Sequence, residues 1–233
     1  MKAMKCLIFL MIIFAVVSSP CIAAPLHTGL ETEAVPFDEF AEIANNREFA
    51  KITEETALPA RCFDVREDGA IVVGSKSANT AYLSVYDAAG IFQYGFETEE
   101  LGSCRVMWGE NSIIYYSIRG GRLYEVDSDG KIIKVENVIS STENSVYDQK
   151  VLTSTTRTVG ESTYRMTNGN RFVDAFSASF AKIVKEDTNG KVIAYNASDG
   201  QLMRTVWGLA SVVVLLAFIA ICIIVNAKKH FKK

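Results

Sequence analysis

Residues 61–97, RCFDVREDGAIVVGSKSANTAYLSVYDAAGIFQYGFE, and residues 103–137, SCRVMWGENSIIYYSIRGGRLYEVDSDGKIIKVEN, are two versions of one pattern. Laid one above the other, Cys62 falls on Cys104 and Ile71-Val72 on Ile113-Ile114, at an offset of 42 residues. Past a connection two residues shorter, Leu83 falls on Leu123, Asp87 on Asp127 and Gly90 on Gly130, at an offset of 40. Within each copy, short runs alternate apolar and polar residues, and turn signals separate them: Glu67-Asp68-Gly69, Asp87 to Gly90, Gly120-Gly121 and Asp127 to Gly130. Alternation with period two places one face of a strand inside and one outside. Tyr, Val, Ile and Phe dominate the runs, as pleated and half-buried positions favour.

A third, longer copy continues the series, because Ile183-Val184 and the turn from Asp187 to Gly190 repeat the last hairpin of the second copy at an offset of 60. The segment VIAYNASDGQL (192–202) also reads as a closing hairpin. The units are placed at about 61–102, 103–142 and 146–205. With a period near 40 and a strand, D-x-x-G turn and strand closing each unit, the chain resembles β-propeller repeat proteins. That resemblance implies four short antiparallel strands per unit. Propellers have four to eight blades, so three units are too few for a ring. Three arrangements stay open: a degenerate extra unit from residues 45–60, closure against other chains, or a smaller sandwich whose hairpins look alike.

The two ends of the 233-residue chain set its expected place in the cell. All 27 acidic residues lie between residues 24 and 206, where they face 18 of the 24 basic ones, for a net charge of −9. At the start, Lys2 and Lys5 precede the apolar run Cys6 to Val17, then Ser18-Ser19-Pro20 and the small residues of CIAA. This order predicts a secretory signal peptide over 1–23. Near the other end, Trp207 to Val225 reads WGLASVVVLLAFIAICIIV, without a charge. At about 1.5 Å per residue, these 19 residues reach about 28 Å, a single bilayer crossing. Trp207 suits the outer interface, and Lys228, Lys229, Lys232 and Lys233 suit the cytoplasmic side. The expectation is a cell-membrane protein of single-pass type I topology, with its span at 206–226 and a basic tail at 227–233. Such a short tail leaves no room for a folded signalling module.

Residues 24–60 differ from the repeats. Between 30 and 55, eight acids face only Arg47 and Lys51. Pro36 can open a helix with Asp38 and Glu39 in its first turn, Phe37, Phe40, Ala41 and Ala44 share a face, and Asn45-Asn46 can stop it. The fold class expected is therefore an all-β ectodomain of repeated antiparallel units, propeller-blade-like and incomplete, with one short N-terminal helix and one C-terminal transmembrane helix.

Little in the sequence points to catalysis. The only histidines are His27 and His230, far from the repeats, so no triad or histidine zinc site is expected in the ectodomain. A carboxylate-dependent hydrolase would need two acids about 5 to 10 Å apart in a cleft. Asp64, Glu67, Asp68 and Glu110 flank turns in the first two units, and either a shared cleft or ordinary solvated turns would explain them. Glu125, Asp127, Asp129 and Glu136 occupy positions one, three, five and twelve of a calcium-loop spacing, with Gly130 at six. Against calcium stand the apolar Ile133 at position nine and the flanking strands; a D-x-x-G hairpin turn is the competing account. Cofactors are otherwise not expected.

Cys62 and Cys104 occupy equivalent repeat positions outside the reducing cytosol. They read either as a disulfide between neighbouring strands or as two buried free thiols filling the same core slot. Asn196-Ala197-Ser198 is a glycosylation sequon. Alternation places Tyr115 and Tyr116 on opposite faces, which would leave one available for contact. An acidic domain excludes a basic nucleic-acid binder. The expected function is a non-enzymatic binding or adhesion module, held at the bilayer by one helix and recognising a protein or glycan. The alternative is an accessory subunit of a larger membrane complex, completed by self-association or by a partner chain.

Overall fold

The structure, a computed structural model, describes residues 26–188 and 190–197. The expected signal peptide (1–23), the apolar span at 206–226 with Trp207, and the tail with Lys228, Lys229, Lys232 and Lys233 lie outside the described residues. Among the described residues no helix is long and apolar enough to cross a membrane.

The described chain is mostly antiparallel β-structure with a few short helices. In order, its elements are β1 (Thr32–Ala34), α1 (Phe37–Asn46), β2 (Ala50–Ile52), β3 (Ala60–Val65), β4 (Ile71–Ser77), β5 (Thr80–Tyr86), β6 (Phe92–Glu99), β7 (Cys104–Trp108), β8 (Ile113–Ser117), β9 (Arg122–Val126) and β10 (Ile132–Val138). Then follow α2 (Thr142–Tyr147), a π-helical turn (Asp148–Leu152), β11 (Thr156–Val159), β12 (Ser162–Thr167), α3 (Arg171–Ala175), β13 (Lys182–Asp187) and β14 (Gly190–Asn196). They build three sheets: β2-β6-β5-β4-β3 (sheet 1), β1-β10-β9-β8-β7 (sheet 2) and β11-β12-β13-β14 (sheet 3).

The last hairpins of sheets 1 and 2 share one turn chemistry. Asp87 Oδ1 accepts from the N–H groups of Ala89 and Ile91, and Asp127 Oδ1 accepts from those of Asp129 and Lys131, all at 2.9 Å. Gly90 and Gly130 then adopt φ of 79° and 86°, a left-handed conformation that costs glycine little. A Cβ at Gly130 would also collide with the Phe49 carbonyl oxygen, so this turn is fitted to the strand leading into β2.

Sheet 1 is the middle layer. One of its faces, with Phe63, Val65, Ile71, Val73 and Tyr86, packs on Tyr164, Met166, Ile183 and Tyr195 of sheet 3. Its opposite face, with Cys62, Val72, Leu83, Val85 and Phe96, packs on Cys104, Val106, Tyr115 and Val126 of sheet 2. The far face of sheet 2, with Met107, Ile114, Tyr116 and Leu123, is covered in turn by Leu26, Leu30, Tyr147 and Leu152. The spatial order is thus sheet 3, sheet 1, sheet 2, helical cover. Burying a large apolar side chain contributes about 1.5–3 kcal/mol, and Phe63, Phe96 and Tyr115 are all fully buried.

This stacking agrees with the sequence reading in one respect, the lack of a closed ring, and departs from it in three. No ring of sheets closes among the described residues, because sheet 3 returns to the free face of sheet 1 instead of following sheet 2. Residues 45–60 contribute one edge strand, β2 paired to β6, where an extra unit was one option; β1 does the same for β10. The strands of the third unit begin at Thr156, later than 146, since Ser141 Oγ accepts from the Asn144 N–H and caps a helix there. Tyr115 and Tyr116 point to opposite faces as expected, yet both are buried, because both faces of sheet 2 are covered. The same cover explains why all five residues of β8 are buried, although alternation would expose some of them.

Candidate functional site

Helix α1 begins after Pro36, carries Asp38 and Glu39 in its first turn and buries Ile43, with Phe40 and Ala44 beside it. Phe37, expected on that face, is instead 86% exposed at the first helical position. Arg47 ends the helix in extended backbone, with its N–H on the Ile43 carbonyl. The turn sends the Arg47 side chain back against sheets 1 and 2. Its guanidinium lies 4.6 Å from the ring centre of Tyr124, 5.0 Å from Tyr115 and 5.6 Å from Phe49. Nη2 donates to the Glu99 carbonyl at 2.9 Å and to Glu100 Oε2 at 3.4 Å.

Glu100 follows the last residue of β6, and its side chain is only 3% exposed. Tyr115 Oη donates to its Oε2 at 2.7 Å, and the Gly102 N–H donates to its Oε1 at 2.8 Å. Burial alone would push this carboxyl up. Hydrogen bonds from Ser117, Tyr115 and Gly102, together with the Arg47 charge, outweigh it and hold Glu100 below the ordinary carboxylate range. The same surroundings push the Tyr115 phenol far up, by burial first and by the Cys104 and Glu100 charges next. The result is a fixed anion and cation at the floor of a cleft, backed from the core by the Tyr115 phenol.

That cleft has a volume of about 910 Å³, and six glutamates line it: Glu39, Glu42, Glu48, Glu97, Glu99 and Glu100. Glu100 pairs with Arg47 and Glu39 with Arg122 at 2.8 Å. Glu42, Glu48, Glu97 and Glu99 enter no ion pair among the described residues, while Arg119 is the one further arginine on the wall. Behind the cleft wall, Thr98 Oγ1, on a residue 4% exposed, and Arg47 Nε are buried with no hydrogen-bond partner among the described residues.

The sequence-predicted residues fall elsewhere. The four carboxylates at calcium spacing are held apart by separate partners. Glu125 accepts from Ser112 Oγ at 2.6 Å, Asp127 closes its own turn, and Asp129 meets Lys51 Nζ at 3.3 Å. Glu136 is buried, with Lys134 Nζ at 2.7 Å, Thr32 Oγ1 at 2.7 Å and the Leu26 N–H at 3.1 Å. No group of three or more metal-ligating side chains occurs among the described residues.

The four acids considered for hydrolysis do not form an open pair. Asp64 accepts from the Trp108 N–H at 2.9 Å and lies 3.5 Å from Arg157 Nε; burial nonetheless raises its carboxyl. Asp68 is clasped by Arg66, with contacts of 2.6 and 3.0 Å, and is held at about 2 by that bond and the Ala70 N–H. Glu67 and Glu110 are exposed at turns. Cys62 and Cys104 do meet in the core between sheets 1 and 2, as buried free thiols. The contact with Cys104, and then burial, push Cys62 well up. Gly74 makes this possible, since a Cβ there would strike Cys62 Sγ. Asn196 is exposed at the end of β14.

Sequence reasoning overlooked the Arg47–Glu100–Tyr115 constellation. Its signals were the single base at the end of an acidic helix and the ETEE run closing β6, residues 97–100. No protein family matches the chain, and no curated protein and no solved structure matches it significantly.

Proposed function

We propose that this chain is a single-pass type I protein of the cell membrane whose β-repeat domain stands outside and binds a partner without catalysis. The partner is a protein, engaged through a basic segment in the cleft beside α1. One observation carries this: a cavity of about 910 Å³ lined by four carboxylates that enter no ion pair among the described residues. Unpaired carboxylates around a rigid floor raise the local concentration of cations and steer them in. The paired Glu100 and Arg47 hold the floor, so little ordering is left to the bound state. The signal peptide, apolar span and lysine tail read from the sequence supply the topology. The matched Asp87 and Asp127 turns support a duplicated, propeller-blade-like unit.

The test uses the full chain in detergent micelles, titrated with octalysine and with an uncharged peptide of the same length. Octalysine should bind, more weakly as salt rises, and Glu97→Lys combined with Glu99→Lys should weaken it at least tenfold. Equal binding to parent and variant, or to both peptides, would refute the cleft reading; binding of a neutral oligosaccharide alone would make the ligand a glycan.

The accessory-subunit reading draws on a different observation. Among the described residues strand β14 is an outer edge of sheet 3, and it leaves Val192 and Ile193 62% and 50% exposed. An open apolar edge is a template for another strand. A native mass of the mildly solubilised protein that includes a second, stoichiometric chain would favour it.

A further inference from the structure

The connection between β12 and β13 exposes two large aromatic side chains. Phe172 is 75% and Phe176 80% exposed, at i and i+4 around α3, with ring centres 5.2 Å apart. The loop is not loosely hung. Asp174 accepts from Thr167 Oγ1 and the Asn168 N–H, each at 2.6 Å. Asn170 Oδ1 caps the helix by accepting from the Phe172 N–H at 2.9 Å, and the Ala181 N–H donates to Asn168 Oδ1 at 2.9 Å. Each end of the loop is therefore fastened by polar groups while both rings are presented outward. Paired exposed aromatics on a braced loop mark a contact surface.

Its place in the fold says what it contacts. The register pairs Thr167 with Lys182 and Lys182 with Asn196, so the loop springs from the end of sheet 3 at which β14 finishes. The Ala197 N–H donates to the Ala181 carbonyl at 2.6 Å, which ties the departing chain to the base of the loop. From there only nine residues, 198–206, precede the apolar stretch that opens at Trp207. Even fully extended they reach about 30 Å.

We infer that Phe172 and Phe176 form an aromatic finger that enters the interfacial layer of the same bilayer in which the chain is anchored, with Arg171 beside it at the headgroups. Aromatic rings favour this layer, where an apolar body and polar surroundings are both met. The finger gives the domain a second point of contact and so fixes its tilt on the membrane, which decides how the acidic cleft faces outward. This inference rests on the membrane-anchored reading above.

The experiment is photolabelling of the full chain in liposomes containing a phospholipid with a diazirine-bearing acyl chain. Tryptic cleavage after Arg171 and Lys182 isolates residues 172–182, and cleavage after Arg204 and Lys228 isolates 205–228. Lipid adducts are expected on both peptides. Phe172→Ser with Phe176→Ser should remove the first set by at least fivefold and leave the second, with an unchanged circular dichroism spectrum and melting temperature. Label on 205–228 but not on 172–182 would overturn the finger and leave the anchor standing. Label on neither would overturn both. Adducts on 172–182 that survive the double variant, or that join it to another polypeptide, would refute the lipid assignment.

Discussion

Replacing Glu100 with Gln tests whether the cleft floor is an ionised carboxylate held by its surroundings. Glu100 Oε2 accepts from Tyr115 Oη and Arg47 Nη2, and Oε1 accepts from the Gly102 N–H. A glutamine in either orientation sets its NH2 against at least one of these donors. The variant also leaves the Arg47 guanidinium, only 18% exposed, without its counter-ion. Breaking one partner of a buried pair costs about 3–5 kcal/mol; Arg47 keeps its bond to the Glu99 carbonyl and its three aromatic rings, so the lower end, about 3 kcal/mol, applies. For a domain of this size each kcal/mol is about 2–4 °C of melting temperature, which makes the expected drop about 6–12 °C at neutral pH. The assay is thermal unfolding of the full chain, followed by circular dichroism between pH 7 and pH 3. Because Glu100 is held below its ordinary range, its contribution is present above the unfolded-state value and fades as pH falls through the lower folded one. The gap between parent and variant should therefore narrow with acid. A drop under about 2 °C at pH 7, or a gap that widens with acid, would refute the reasoning.

The remaining expectations concern other parts of the fold. Gly130→Ala should destabilise by about 1–3 kcal/mol, measured by urea unfolding, because φ is left-handed and the Phe49 carbonyl blocks the new methyl group. Calcium should leave the melting temperature of the parent and of Asp127→Ala unchanged; a calcium-dependent rise lost in that variant would restore the metal-loop reading. Cys62 and Cys104 should resist alkylation in the native protein and each take one alkyl group after unfolding without reductant, and protection that persists would mean a bridge. Burial raises the Tyr195 phenol to about 12. Its contribution is full below the ordinary tyrosine value near 10 and is lost as pH rises through about 12, so stability should fall over that window. Ultraviolet titration against melting temperature checks it.

Local chemistry was the legible part of this protein. The Asp87 and Asp127 turns, the hairpins they close and the start of α1 after Pro36 each depend on a few neighbouring residues, and sequence spacing records them. Layer order was not legible, because it depends on which face of sheet 1 a distant segment covers. The run IIYY of β8 (113–116) carries that information only as an absence of alternation. The cleft was hidden for a similar reason. Arg47 and Glu100 are 53 residues apart in sequence and meet because β2 pairs with β6 and brings the end of α1 beside the end of that strand. Conversely, the calcium spacing from Glu125 to Glu136 was regular in sequence and failed in space, since the β9–β10 hairpin gives each carboxylate its own neighbour.

The central claim is that the cleft beside α1 holds a basic segment of a protein partner outside the cell. Photocrosslinking from a benzoyl-phenylalanine placed at Glu97, at the cleft rim of the full chain in the intact membrane of its own host, tests it most directly. The account expects a crosslink to a second polypeptide, mapped by mass spectrometry to a lysine- or arginine-rich segment and suppressed when Glu99→Lys is added. A crosslink to an acidic or uncharged segment, one indifferent to Glu99→Lys, or none at all would contradict it.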